Sequence, residues 1–413
     1  MPIRHAEKLF IVAFLLTWGD VAAQTGYDWV QRASLPAAAR YGSFNFVVGD
    51  YGYVAGGGNS NAIFLDCWRY SPSTDTWEQM ADMPTALRHG AAFAINGKGY
   101  VSCGQNGSPT FSTALYCYDP VSDSWSTKAS LPAYARYGPY AFAIGGYGYL
   151  GGGNRGSAEG PYLDDLWQYD PILDSWSEST GIPGLARYGS TALVIDGKGY
   201  VQGGRDQSLD FTTELWEFEP TGQSWILKPS MPGVGRSWSM VMAFPYEAVI
   251  AGGKDSGTVI YHDSYRYYPY TDSWVGVPDY PGGSGWSGTS FGIGTRTFGG
   301  LGKEYVPTEQ FFNDFWELVK GENVSVDESL GSATGGALRV VPNPAASGQS
   351  IQISLGSLSP GTGRFSVSDA MGRTVLQGTM SRVVTLPSLT SGSYQVRFYN
   401  EGGSAFHGRF MVE

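Results

Sequence analysis

The hydrophobic and polar positions of this 413-residue chain recur with a period of about 49 residues. Each repeat contains short apolar runs, separated by turns that are rich in glycine, proline and aspartate. This pattern predicts four short β-strands joined by hairpins in every repeat. The strand that closes each repeat carries a tryptophan: Trp29, Trp77, Trp125, Trp176, Trp225 and Trp274.

A four-stranded sheet cannot bury both of its faces by itself. Packing six such sheets radially, face against face, buries both faces and leaves only short edges. We therefore predict an all-β chain whose main domain is a six-bladed β-propeller. The second strand of each blade is expected to end near the axis in paired small residues: Gly56-Gly57, Cys103-Gly104, Gly151-Gly152, Gly203-Gly204, Gly252-Gly253 and Gly299-Gly300.

The glycine pairs, the spaced aromatic residues and the period resemble the kelch family over residues 27–319. The resemblance implies a kelch β-propeller, the type of fold found in galactose oxidase and N-acetylneuraminate epimerase, here with six blades. The chain begins with a tryptophan strand near Tyr27–Arg32, whereas the last repeat, ending at Trp316, has none. The N-terminal strand is therefore expected to complete blade six and close the propeller.

Residues 1–23 have the layout of a secretory signal peptide, because Arg4 and Lys8 precede an apolar run from Leu9 to Trp18 and then small residues. A run of about ten apolar residues is too short to cross a bilayer. No other segment is long and apolar enough, so we expect no transmembrane segment in the mature chain.

The remaining chain is predicted to form the propeller at residues 24–319, a Gly/Ser-rich linker at 320–338 and a small β-sandwich at 339–413. This last part resembles the C-terminal sorting domain of type IX secretion substrates. The matching residues are Pro342-Asn343-Pro344, Asp369, Gly372-Arg373, Leu389, Gly392, Tyr394 and the strand Gly408 to Glu413. The resemblance implies the type IX secretion machinery as a partner. It also implies a protein that is secreted or held on the outer-membrane surface of a Gram-negative bacterium.

The charge and the chemistry of the chain exclude several classes of function. The net charge is −11, and residues 24–319 alone carry 17 Lys/Arg and 29 Asp/Glu, which is unfavourable for nucleic-acid binding. The propeller has only His89 and His262 as histidines, so no metal site and no cofactor are expected. Cys103 and Cys117 are expected on adjacent strands, and either a disulfide or unpaired thiols fits them.

A basic residue recurs four positions after the proline that follows each tryptophan strand, with Gly285 in its place in the sixth repeat. In the predicted fold this position lies at one mouth of the central channel. A ring of guanidinium groups beside aromatic rings can bind carboxylates and stack on sugars. Pairing with backbone carbonyls or acids of the neighbouring blade explains the arginines equally well. The candidate ligand-binding residues are Arg40, Arg88, Arg136, Arg187, Arg236, Tyr41, His89, Tyr137, Tyr188, Trp238 and Trp286.

Three functions fit these observations. The first is a binding module for a glycan or protein ligand, possibly anionic, at the Arg/aromatic mouth; the lack of a recognisable catalytic constellation favours it over an enzyme. The second is a carbohydrate-active enzyme of the acidic-sugar epimerase (mutarotase) type, which the kelch resemblance implies, although no catalytic residue can be matched. The third is a structural spacer on the cell surface.

Overall fold

The computed structural model describes residues 27–320, with gaps at 108–109, 158–159, 245, 257–258, 284 and 306–307, and seven strands between residues 338 and 412. This part of the chain contains β-strands and no α-helix, which confirms the predicted all-β class. No helix in it is long and apolar enough to span a membrane. The chain divides into two compact units between Lys320 and Gly321. The predicted signal peptide and all but the end residues of the predicted linker lie outside the described residues.

Six four-stranded antiparallel sheets form the first unit, one sheet per blade. The first strand is β1, Tyr27–Arg32. Blades one and two consist of β2 (Phe44–Val48), β3 (Tyr51–Ala55), β4 (Cys67–Ser71), β5 (Thr76–Met80), β6 (Ala91–Ile95), β7 (Lys98–Ser102), β8 (Leu115–Asp119) and β9 (Ser124–Lys128).

Blades three and four contain β10 (Tyr140–Ile144), β11 (Tyr147–Gly151), β12 (Asn154–Ser157), β13 (Gly160–Tyr162), β14 (Leu166–Asp170), β15 (Ser175–Ser179), β16 (Arg187–Tyr188), β17 (Thr191–Ile195), β18 (Lys198–Gln202), β19 (Arg205–Asp206), β20 (Leu215–Glu219) and β21 (Ser224–Lys228). Of these, β12 pairs with β13 and β16 pairs with β19 outside the blade sheets. Blades five and six contain β22 (Met240–Ala243), β23 (Ala248–Ala251), β24 (Ser264–Tyr268), β25 (Ser273–Val277), β26 (Thr289–Ile293), β27 (Arg296–Tyr305) and β28 (Glu309–Lys320).

Blade six is completed by the N-terminal strand. Its strand order is β26-β27-β28-β1, and β1 runs antiparallel to β28 with Tyr27 opposite Lys320. Trp29 Nε1 donates a hydrogen bond of 2.9 Å to the Pro278 carbonyl, which follows the outer strand of blade five. These pairings confirm the predicted closure, which leaves no unpaired gap between the first and last blades.

A tryptophan links each blade to its neighbour, and in blades one to three a turn aspartate joins it. In blade one, Trp77 Nε1 donates to the Ala33 carbonyl at 2.7 Å, and the Ala33 N–H donates to Asp75 Oδ1 at 2.9 Å. Asp75 also accepts a hydrogen bond from the Tyr70 hydroxyl and adopts a positive φ of 53°. The same arrangement recurs at Asp123 and Asp174. The recurring aspartate therefore satisfies protein donors and holds two blades together.

Aromatic rings fill the space between blades, and one glycine in each of blades one to four makes room for them. Phe46 of blade one stacks on Tyr53 at 5.0 Å and contacts Tyr118 of blade two. A Cβ atom on Gly99 of blade two would lie 2.1 Å from the Phe46 ring. This glycine of the GKGYV turn is thus required for close packing, whereas Gly97 before it has the positive φ, 74°, that a hairpin turn needs.

The second unit contains two antiparallel sheets. Its strands are β29 (Leu338–Val341), β30 (Ile351–Leu355), β31 (Gly363–Asp369), β32 (Thr374–Met380), β33 (Val383–Leu386), β34 (Gly392–Asn400) and β35 (Ala405–Val412). The sheet orders are β29-β30-β33 and β32-β31-β34-β35. Phe365, Val367 and Tyr394 are buried. These strands are consistent with a small extra β domain. The Pro-Asn-Pro segment, Gly372, Arg373 and Leu389 lie outside the described residues, and the resemblance to a sorting domain stays a prediction.

Candidate functional site

A closed ring of backbone hydrogen bonds surrounds the axis of the propeller. Each of the six blades contributes one residue, whose N–H donates to the carbonyl of its counterpart in the preceding blade at 2.7–3.0 Å. All six residues have a positive φ: Gly42, His89, Gly138, Gly189, Trp238 and Ser287. We call these six residues the axial ring. Because it includes every blade once, it gives each blade an equivalent position from which the neighbouring residues can be counted.

The axial ring shows that the five predicted arginines are of two kinds. Arg40, Arg136, Arg187 and Arg236 lie two residues before their axial-ring residue, whereas Arg88 lies directly before His89. The segment from Pro84 to the ring is one residue shorter than in the other blades, so Leu87 is the counterpart of the four arginines. Counting from the proline therefore misplaced Arg88 by one position.

The four equivalent arginines do not face the mouth. Arg136 is 0 % exposed, and its guanidinium donates to Asp165 Oδ1 at 2.5 Å, to Asp165 Oδ2 at 2.8 Å and to the Gly152 carbonyl at 3.0 Å. The equivalent ion pairs are Arg40–Asp66, Arg187–Glu214 and Arg236–Asp263. The prediction that Arg40, Arg136, Arg187 and Arg236 bind a ligand is corrected accordingly, because each guanidinium is buried and forms an ion pair with an acid of its own blade. The predicted structural alternative also needs correction, since the acid belongs to the same blade.

The repeats themselves contain a test of this structural role. In blade two, Leu87 replaces the arginine, and the acid is replaced by Ala114, whose carbonyl accepts the same backbone hydrogen bond as that of Asp66 or Asp165. In blade six, Gly285 replaces the arginine but Asp314 is retained, and one of its oxygens, Oδ1, is buried without a hydrogen-bond partner. Blade two has thus lost both halves of the pair, which is expected when each half is costly to bury alone.

The six predicted aromatic residues form one continuous series of ring contacts. Tyr137 contacts Tyr188 with ring centres 5.6 Å apart, and Tyr188 contacts Trp238 at 6.2 Å. His89 lies 4.8 Å from both Trp238 and Tyr41, and Tyr41 lies 6.2 Å from Trp286. All six side chains are half-buried. We call the opening that they surround the mouth.

Arg88 belongs to the mouth. Its Nη1 donates to the Tyr41 hydroxyl at 3.1 Å, and its Nε donates to Gln105 Oε1 at 3.1 Å. No carboxylate forms an ion pair with Arg88 among the described residues. Of the five predicted arginines, Arg88 is therefore the one whose charge is directed to the mouth.

His89 and Trp238 close the floor of the mouth. A Cβ atom on Gly42 would lie 2.4 Å from the His89 ring, and Cβ atoms on Gly138 and Gly189 would lie 2.9 Å and 2.7 Å from Trp238. The glycines of the axial ring thus leave the space that these two rings occupy. Burial, together with the charges of Arg88 and Lys303, lowers the pKa of His89 to about 3, so its imidazole is neutral at physiological pH.

A cavity of about 120 Å³ lies at the axial ring and the residues that follow it. Its walls include His89, Trp238 and the hydroxyl-bearing side chains of Ser43, Ser190 and Ser239. Each of these serine hydroxyls donates to the carbonyl of a glycine in its own blade: Gly56, Gly203 or Gly252. The cavity is small, and the hydroxyl groups of these three serines are already engaged.

A second set of mouth residues was missed in the sequence. They directly follow the paired residues at the axis, and blades four, five and six have Arg205, Lys254 and Lys303 there. The pairs are Gly152-Gly153 in blade three and Leu301-Gly302 in blade six, as their positive φ angles show, rather than Gly151-Gly152 and Gly299-Gly300. Once the pairs are located correctly, the sequence shows a cation directly after the pair in blades four, five and six.

These cations lie beside the predicted aromatic residues. Arg205 pairs with Tyr188 across a short ladder, Lys254 pairs with Ser237, and the Lys303 N–H donates to the Trp286 carbonyl at 3.2 Å. Blades four to six therefore present three consecutive cations at the mouth. A basic surface was predicted at the mouth from the other four arginines. Arg88 and these three cations form it instead.

Two hairpins rise on opposite sides of the mouth. In blade six, β27 and β28 continue past the blade, with Lys303 opposite Phe311 and Tyr305 opposite Glu309. In blade three, β12 and β13 form a separate hairpin, whose Tyr162 contacts Tyr188 at 4.7 Å. Blades pack in chain order around the axis, so blades three and six are diametrically opposed. The mouth is thus bounded on two sides.

Lys303 connects the blade-six hairpin to the aromatic residues. Its Nζ lies 4.7 Å from the Tyr41 ring centre and 4.5 Å from that of Tyr305, and it forms an ion pair with Glu309. Burial favours the neutral amine, but the bond to Glu309 outweighs burial and raises the pKa of Lys303. Lys303 is therefore a charged residue with its own carboxylate partner.

All three cysteines are buried and free, so Cys103 and Cys117 are not bonded to each other. Burial raises the pKa of both thiols. Among the described residues, no group of three or more histidine, cysteine or acidic side chains is arranged to hold a metal ion.

Comparison with known proteins supports the architecture. Residues 39–84 match the model of the Kelch motif. The protein is a six-bladed propeller with a Kelch motif. The solved structure of YjhT resembles it with a TM-score of 0.60 at 14 % sequence identity, over 71 % of this chain and 97 % of that one. At this level of identity the likeness concerns the fold alone. No curated protein matches this chain in sequence.

Proposed function

We propose that this Kelch propeller is a binding module that takes a glycan or protein ligand at the mouth. The observation that carries the proposal is the continuous series of half-buried aromatic residues from Tyr137 to Trp286. Core aromatic residues of the same blades, such as Tyr53 and Tyr118, are at most 1 % exposed. Rings that remain accessible at one opening, beside cations, offer stacking surfaces that a packed core does not need.

The arrangement of the mouth favours a ligand that inserts only a small part of itself. The floor is occupied by the rings of His89 and Trp238, and two hairpins bound the sides. A sugar ring or a single side chain fits such a shallow recess, and a chain passing through the axis does not. Tyrosine and tryptophan faces are suited to the apolar faces of sugars, and the nearby Arg88 and Lys303 supply donors.

The test is a glycan-array and affinity measurement on the full chain with two matched variants. Trp286→Ala in the mouth should lower the affinity at least about tenfold, since aromatic residues dominate such contacts. Tyr147→Ala is the control, because Tyr147 is 38 % exposed and is the first residue of β11, at the end of the blade opposite to the mouth. Equal affinity in both variants would place the ligand elsewhere. The absence of any ligand would favour the structural-spacer alternative.

The alternative is an acidic-sugar epimerase (mutarotase). The observation in its favour is the position of His89, whose imidazole lies at the floor of the mouth, 4.8 Å from the rings of Trp238 and Tyr41. NMR exchange measurements on anomers of acidic sugars test it directly. Anomer exchange that is accelerated by the protein and lost in His89→Gln would establish the enzyme. An exchange rate that the protein does not change would refute the epimerase and favour the binding module.

We further propose export through the N-terminal signal and surface sorting through the C-terminal unit, in a Gram-negative bacterium. Support comes from the apolar segment at residues 9–18 and from the change in charge, since residues 339–413 carry 6 Lys/Arg and 3 Asp/Glu in contrast to the acidic propeller. A chain truncated after residue 338 should remain in the periplasm. Normal amounts of the truncated chain at the cell surface would contradict the proposal.

A further inference from the structure

Lys254 is a half-buried cation without a carboxylate partner among the described residues. It directly follows the Gly252-Gly253 pair of blade five, and its Nζ lies 4.2 Å from the centre of the Trp286 ring. Every ion pair of a lysine in the described part of the chain involves Lys98, Lys198, Lys228 or Lys303. Lys254 therefore differs from Lys303, its counterpart in the next blade, which forms an ion pair with Glu309.

Asp255 and Glu309, two acids of blades five and six, are each held by another group. Asp255, its chain neighbour, accepts a hydrogen bond of 2.8 Å from the Tyr261 hydroxyl. Glu309 is held by Lys303 on the blade-six hairpin. Of the charges that act on Lys254, two are positive, those of Lys303 and Arg205, and one is negative, that of Asp255.

Further positive charges face the same space. Lys303 Nζ lies 5.3 Å from the centre of the Trp286 ring, so the two ammonium groups share one indole. Arg205 occupies the same position in blade four. Burial, together with the charges of Lys303 and Arg205, lowers the pKa of Lys254, while Asp255 acts in the opposite direction. Three like charges in neighbouring blades repel one another, and an anion between them would relieve that repulsion.

We infer that Lys254, with Arg205 and Lys303 beside it, forms a subsite for one anionic group of the ligand, a carboxylate or a sulfate on a sugar ring. The inference rests on the proposed function and names the chemistry of its ligand. Lys254 would contact the anion, and Trp286 and Tyr305, whose rings lie 5.7 Å apart at 28° to each other, would flank the sugar. The shallow mouth favours a uronic acid over an acidic protein segment.

The experiment compares glucuronate with glucose as probes on the full chain. We expect glucuronate to bind at least about tenfold more tightly, as a charge-assisted hydrogen bond in a partly buried site provides. Lys254→Met should abolish this preference, whereas Lys254→Arg should retain it. Lys98→Met is the matched control, because Lys98 is the first residue of β7, at the end of the blade away from the mouth, where it pairs with Asp119. Melting temperatures of all variants establish that they are folded.

The outcomes separate the inference from the proposed function. A preference for glucuronate that survives Lys254→Met overturns the anion subsite, while binding at the mouth still stands. Binding of a polyglutamate peptide, without binding of glucuronate, overturns the assignment to a sugar. Binding of neither sugar nor peptide by any variant overturns the subsite together with the proposed function.

Discussion

The ion pair between Arg136 and Asp165 can be tested against the version of the same site that blade two already contains. Blade two has Leu87 and Ala114 at these positions. The perturbations are therefore Arg136→Leu, Asp165→Ala and the double variant. If the arginine is structural, the two changes should interact strongly, because each single change leaves the other group unpaired.

The magnitudes follow from the contacts. Arg136 donates to both oxygens of Asp165 and to the carbonyls of Tyr134 and Gly152. Breaking a buried pair by removing one partner costs about 3–5 kcal/mol. Because the Asp165 side chain is 21 % exposed, we expect Arg136→Leu to cost about 3 kcal/mol. The double variant removes the unpaired carboxylate, so it should be more stable than the sum of the single changes predicts by about 1–3 kcal/mol.

Chemical and thermal denaturation, followed by circular dichroism, measure these differences. For a domain of this size, each kcal/mol corresponds to a change in melting temperature of about 2 °C. Additive effects of the two substitutions would refute the reasoning. A fully stable Arg136→Leu that no longer binds ligand would return Arg136 to the binding site.

Other consequences can be checked with single measurements. Arg88→Ala should change the melting temperature little but weaken ligand binding, because Arg88 has no carboxylate partner among the described residues; a loss of stability like that of Arg136→Leu would contradict its place in the mouth. Deletion of residues 24–34 should abolish cooperative unfolding, since blade six loses β1 and Trp29; an unchanged melting curve would refute closure by this strand. Burial raises the pKa of Asp66 and Asp263, but hydrogen bonds from Arg40 and Arg236 outweigh it and lower both. Their stabilising contribution is complete above the unfolded pKa of about 3.9 and is lost as the pH falls through the lowered values, so acid titration should show stability declining below about pH 4; stability independent of pH there would contradict the pairing.

The blades and their closure could be predicted from the sequence because both follow from the positions of the tryptophan residues. The tryptophan spacing gives the number of blades, and the position of Trp29 before the first complete repeat gives the closing strand. The aromatic residues of the mouth were also found, since they lie at or next to one axial position.

The charged residues of the site were assigned less well, for two physical reasons. An arginine in a repeat can be neutralised by an acid 26 to 29 residues later, as Arg40 is by Asp66 and Arg136 by Asp165, and spacing alone does not reveal burial. Turn lengths also vary by one or two residues between blades. For this reason Arg88 was counted as equivalent to the other four arginines, and Lys303 was not recognised as a residue of the mouth. One signal of the pairing is present in the sequence, because blade two has lost both the arginine and the acid and has Leu87 and Ala114 in their places.

The axial ring has a consequence for how such a protein can change. A positive φ is tolerated best by glycine, and three of the six ring positions are glycines. Only His89 and Trp238 place large rings across the axis, and the backbone around them is fixed by the six hydrogen bonds. The side chains of His89 and Trp238 therefore determine whether the central channel is closed at the mouth or open along the axis. Either form is compatible with the same arrangement of blades.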